Sequence, residues 1–108
     1  MTDDSFDRGM VVRRQVLGDR HVDRANAATT DLTADFQQFI TRYVWGEIWT
    51  RPDLARRTRS CITVAMLVAL NRPEELAMHL RACMTNSDSR TELKEVLVQT
   101  AIYCGVPA

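Results

Sequence analysis

In the stretch "LNRPEELAMHLRA", residues 70–82, Arg72, Glu75 and His79 stand three and four positions apart. On a helix those spacings place a cation, a carboxylate and an imidazole on one face. Two readings are open. The face is either a solvated stripe, whose ion pairs contribute roughly a few tenths of a kcal/mol each, or an acid–base device. Imidazole titrates near neutrality, and a carboxylate one turn away fixes its tautomer and raises its pKa, which makes a usable general acid.

Three other groups carry potential chemistry. "RRTRS", residues 56–60, gathers Arg56, Arg57 and Arg59. It reads equally as a solvated basic helix start or as an anion clamp, because guanidinium pairs bidentately with carboxylate and keeps its charge when partly buried. "WGEIW", residues 45–49, sets Glu47 between two indoles. The segment is an aromatic helix end with Glu47 exposed, or it is a carboxylate held by aromatics, with a raised pKa and fit to handle protons. His21, in "GDRHVDRA", has the setting of a solvated loop residue. Two histidines without other ligands at metal-binding spacing argue against a zinc or iron site. No phosphate loop, G-x-S-x-G elbow or dinucleotide fingerprint is present, so no cofactor site is recognisable.

The elements that must position these groups read as helices. Glycine totals four and proline three, and no long stretch alternates apolar with polar residues. A first helix is expected over residues 4–17, stopped by Gly18, followed by an irregular arm over about 18–32. Thr33 is expected to cap a second helix, with Phe36, Phe39, Ile40, Tyr43 and Val44 at helical spacing, ended by Pro52. A third helix spans about 54–70. Its early arginines oppose the helix dipole, so something else must call for them there. Pro73 opens a fourth helix, to about residue 85, and a fifth from Arg90 is expected to bury Leu93, Val96, Leu97, Ala101 and Ile102 before "CGVP" stops it.

Composition sets the class. A chain of 108 residues forms one all-α domain of about five helices, small enough that association between copies is plausible. Hydrophobic residues at 45% and charged residues at 26% are globular rather than disordered. Fourteen basic against 14 acidic residues gives no net charge, which argues against nucleic acid or an anionic membrane as partner. The apolar run "CITVAMLVAL" is about half of the roughly 20 residues a bilayer requires and reads as a buried helix. The acidic N-terminus lacks the layout of a signal peptide, so a cytoplasmic protein is expected. Cys61, Cys83 and Cys104, odd in number and set among apolar neighbours, read as reduced packed thiols.

The blocks "HVDRA", "FITRYVWGEIWTRPDLARRTRS", "AMLVALNRPEELAMHLRA" and "ELKEVLVQTAIYCGVPA" together resemble the carboxymuconolactone decarboxylases, from about Phe6 to the end of the chain. The resemblance implies an alkylhydroperoxidase-D-like helical subunit, assembled as a homo-hexamer or trimer and working without metal or organic cofactor. It also implies decarboxylation of γ-carboxymuconolactone, a lactone carrying carboxylates, to β-ketoadipate enol-lactone and CO2 in protocatechuate catabolism. Where redox relatives of that superfamily have a C-x-x-C pair ahead of a histidine, this chain has Arg72 and Glu75 ahead of His79. On this reading His79, Glu75 and Glu47 are the acid–base candidates. Arg59, Arg57, Arg72 and His21 are the substrate-binding ones. The chain departs from the family at Asn86-Ser87, where Asn-Gly is usual, and at Cys61 and Pro73; family members also continue past "GVPA" with another short helix. A thiol-dependent peroxide reductase and a non-catalytic oligomeric ligand-binding module are the alternatives.

Overall fold

The computed structural model describes residues 4–84 and 87–108, with backbone alone at 87–89. Asn86, from the turn singled out above, lies outside the described residues. The described residues form six α-helices and one π-helix, with no strand among them, and the chain divides into two compact units, Met1–Asp53 and Leu54–Ala108.

In the first unit, α1 (Ser5–Leu17) ends at Gly18, whose φ of 93° suits glycine and whose N–H returns to the Arg14 carbonyl at 2.9 Å. The expected irregular arm at 18–32 is corrected. Residues Asp19–Ala27 form a second helix, α2, and only the next few residues are non-helical. Its signal is electrostatic rather than apolar. Arg14 of α1 pairs with Asp23 at 2.8 Å and Asp19 at 3.2 Å, which raises the arginine's pKa, Asp23 more than Asp19. Val22, fully buried, is the principal apolar anchor, and one anchor makes no period.

The expected second helix is two structures in series: α3 (Ala34–Phe39) and a π-helix over Ile40–Ile48. Thr33 occupies the N-cap position of α3, yet its side chain does not cap. Its hydroxyl accepts the Thr30 N–H at 2.9 Å instead. The buried face is not the one that carries most of the regularly spaced apolar residues. Phe36, Phe39 and Tyr43 are exposed, with the Phe39 and Tyr43 rings stacked at 5.7 Å, while Thr41, Trp45, Gly46 and Trp49 face the interior.

The reason lies in how α1 meets the π-helix. A Cβ on Gly9 would collide with the Thr41 carbonyl, and one on Gly46 with the Ser5 carbonyl, so the two backbones touch where neither residue has a side chain. Arg13 lies buried beside this contact. Its guanidinium donates to Thr41 Oγ1 and Gln37 Oε1, each at 3.2 Å, and burial lowers its pKa.

In the second unit, α4 (Arg56–Ala69), α5 (Pro73–Cys83) and α6 (Ser87–Cys104) pack against one another. Pro73 takes the first turn of α5 and Glu74 and Glu75 follow it, a favourable placement of negative charge at a helix N-terminus. Asn71 makes the preceding turn with a φ of 58°, a conformation asparagine tolerates. Gly105, at φ 93°, ends α6 and donates to the Ala101 carbonyl at 3.0 Å, as the stop signal implied.

Burial here is narrower than the sequence suggests. Of the run 61–70 only Val64 is fully inside, while Ile62, Met66 and Leu70 are exposed. Of the five residues expected to be buried on α6, Leu93 is, Val96 and Ala101 are half-buried, and Leu97 and Ile102 are exposed. Thr100, which no apolar pattern selects, is buried and bonds the Val96 carbonyl at 2.8 Å.

Candidate functional site

Helix α5 presents one buried side chain, and it is His79, at 8% exposure. An interior helix face ordinarily offers an aliphatic residue there. Met78 and Leu80 on either side are only half-buried, so the imidazole is the most deeply buried side chain of α5. Glu75 sits one turn earlier in the first turn of α5 and is exposed.

Arg72 does not share that face. It is the N-cap of α5, with φ −112° and ψ 78°, so the three-residue spacing to Glu75 does not run along a helix. The Arg72–Glu75 pair considered from the sequence is not among the ion pairs of the described residues. What remains of the stripe is a carboxylate in water and an imidazole inside, on one helix.

The arginines of α4 separate by depth. Arg56 and Arg57 are exposed, whereas Arg59 is half-buried with its Nε inside. Arg57 Nε donates to Glu92 Oε2 of α6 at 3.0 Å. The other carboxylate oxygen, Oε1, accepts the Cys61 thiol at 2.9 Å. Arg57 and Cys61 are four residues apart on α4, so one carboxylate of α6 gathers two groups from a single face of its neighbour. The Cys61 bond first, and Arg57 after it, hold the Glu92 carboxyl below its ordinary range. Desolvation, with Glu92 adding to it, pushes the Cys61 thiol up to about 11. Cys83 is likewise raised, by burial and then Glu92, and all three cysteines are free. Sequence reading missed Glu92. The unexplained early arginines of α4 were the available signal, since misplaced cations imply an anion elsewhere.

Glu47 and His21 belong to the first unit. Trp45 and Trp49 pack on each other at 4.9 Å with both rings buried, and Glu47 between them in sequence faces out, 3.4 Å from Arg8. The exposed alternative is therefore the arrangement present. His21 is half-buried on α2 rather than in a loop. Among the described residues no group of three histidine, cysteine, aspartate or glutamate side chains could hold a metal ion.

The chain is similar to known decarboxylases. The 4-carboxymuconolactone decarboxylase of Acinetobacter baylyi is 48% identical over 103 residues, covering 95% of this chain and 77% of that protein. The nitrosuccinic acid decarboxylase of Metarhizium robertsii is 36% identical over 103 residues, 95% of this chain and 72% of that protein. A 4-carboxymuconolactone decarboxylase sequence from Pseudomonas putida is 50% identical over 42 residues, 39% of this chain and 88% of that sequence. The profile of the Carboxymuconolactone decarboxylase family matches residues 34–108, so the chain belongs to that family.

Proposed function

We propose that this protein is a carboxy-lyase that converts γ-carboxymuconolactone to β-ketoadipate enol-lactone and CO2 in aromatic catabolism, with His79 as its proton donor. The observation that carries the assignment of His79 is its burial: α5 spends its interior position on a titratable ring. Family membership and the relative at 48% identity support the reaction.

The substrate supplies its own electron sink. As the bond between the ring carbon and the departing carboxylate breaks, its electron pair moves through the ring alkene onto the lactone carbonyl oxygen, and a proton is then delivered to carbon. The protein must hold two carboxylates, stabilise the developing enolate oxygen and supply that proton. Arg59, half-buried, and Arg57 bind carboxylate, with Arg72 a further cation at the start of α5. His79 donates the proton or stabilises the enolate, and Glu75 on the same helix orients or reprotonates it. For Glu47 and His21 the proposed acid–base and substrate-binding roles rest on residue type alone.

A thiol-dependent peroxide reductase fits poorly. A thiol pushed up to about 11, as at Cys61, yields almost no thiolate at neutral pH, the reverse of what peroxide reduction requires. We also propose a cytoplasmic homo-oligomer. The support is that Phe36, Phe39, Ile102, Tyr103 and Val106 are well exposed in the single chain, and that no helix among the described residues is long and apolar enough to cross a membrane.

Incubation of the purified protein with γ-carboxymuconolactone tests the reaction. One CO2 is expected for each lactone lost, followed by the fall in lactone absorbance. Absence of CO2 release would contradict the assignment and leave the non-catalytic ligand-binding reading in its place.

A further inference from the structure

Glu92 stands outside every residue set assigned above, and its two oxygens are committed to two groups of one neighbouring helix. Oε2 takes Arg57 Nε at 3.0 Å, and Oε1 takes the Cys61 thiol at 2.9 Å. A guanidinium on a long flexible stem loses considerable side-chain freedom when a ligand fixes it. Here one edge of the Arg57 fork is fixed beforehand, across the α4–α6 contact, by a carboxylate that is itself oriented by the thiol. The pair is half-exposed, which leaves it within reach of a solute.

We infer that Glu92 is a positioning residue for substrate binding: it orients Arg57 so that the guanidinium meets a substrate carboxylate already ordered. The inference rests on the carboxylate-binding role proposed for Arg57. Glu92 touches no reacting atom in this account. Its effect therefore falls on KM and passes entirely through Arg57. Preorganisation of this kind strengthens binding by removing an ordering cost rather than by adding a contact.

A double-mutant cycle on the full chain tests it, with kcat and KM for γ-carboxymuconolactone measured on Glu92→Gln, Arg57→Ala and the double variant. Alkylation of Cys61 by iodoacetamide, located by peptide mass, serves as a geometric readout. Glu92→Gln is expected to raise KM about five- to tenfold with kcat within twofold, and to speed Cys61 alkylation, because the carboxylate that suppresses the thiolate is gone. Arg57→Ala is expected to raise KM, and adding Glu92→Gln to it is expected to change KM no further. If Glu92→Gln lowers only thermal stability and leaves KM unchanged while Arg57→Ala raises it, Glu92 is an interhelix tie and the inference fails with the role of Arg57 intact. If Arg57→Ala itself leaves KM unchanged, both fall. Should Glu92→Gln fold poorly, Glu92→Asp, which keeps the charge one methylene short, is expected to show a smaller rise in KM that also vanishes without Arg57.

Discussion

His79 and Cys61 are both titratable side chains of the second unit, and packing places them differently. The imidazole takes the buried position of α5, whereas the thiol is desolvated and bound to a carboxylate, both of which oppose its ionisation. Because the pKa of Cys61 rises from 9.0 to about 11 on folding, the native protein keeps a proton that the unfolded chain releases in that interval. Its contribution to stability is thus whole below pH about 9 and is lost as pH climbs towards 11. The same shift predicts slow alkylation at neutral pH. Peptide mapping after iodoacetamide at pH 7.5 should show Cys61 labelled far more slowly than the exposed Cys104, with its rate still climbing above pH 9. Comparable rates at pH 7.5 would mean that the burial of the thiol and its bond to Glu92 do not persist in solution. At this scale the sequence disclosed types but not environments. His79, Arg57 and Arg59 were identifiable as chemical groups, but the depth of His79, the outward turn of Glu47 and the bridging place of Glu92 depend on contacts between elements distant in sequence.

The segment formed by α3 and the π-helix is where the apolar pattern does not mark the buried face. Helical spacing picks out Phe36, Phe39 and Tyr43 as an apolar stripe, and that stripe is exposed. The inward face was set by Gly9 and Gly46, which allow α1 to reach the backbone of the π-helix, and by Arg13, which donates to Thr41 within it. A periodicity argument weighs large apolar residues and is blind to a contact made by absent side chains. Helix α2 escaped notice for a related reason, being tied through Arg14 to Asp19 and Asp23 rather than by an apolar stripe. By contrast the boundaries set by Gly18, Pro73 and Gly105 were legible, since φ preference is a property of the residue itself. Gly9→Ala should therefore cost about 1–3 kcal/mol through forced backbone displacement, read as a fall in thermal midpoint of roughly 4 °C or more. An unchanged midpoint would show that α1 and the π-helix separate at no cost.

For the molecule as a whole, family membership supports decarboxylation, and the proposed mechanism adds that the substrate carries its own electron sink while cations hold it and His79 completes the reaction with a proton. The resemblance read from four blocks of sequence already pointed there, because those blocks are long enough to be specific where spacing alone was ambiguous. Phe36, Phe39, Ile102, Tyr103 and Val106 are the apolar side chains that the proposed oligomer would cover. Within that account the central claim is that His79 supplies the proton. It is tested most directly by kcat of His79→Ala on γ-carboxymuconolactone, measured on protein whose helical content and assembly state match the parent. Removal of a positioned general acid predicts a fall of roughly 10²- to 10⁴-fold; a kcat equal to that of the parent would contradict the account.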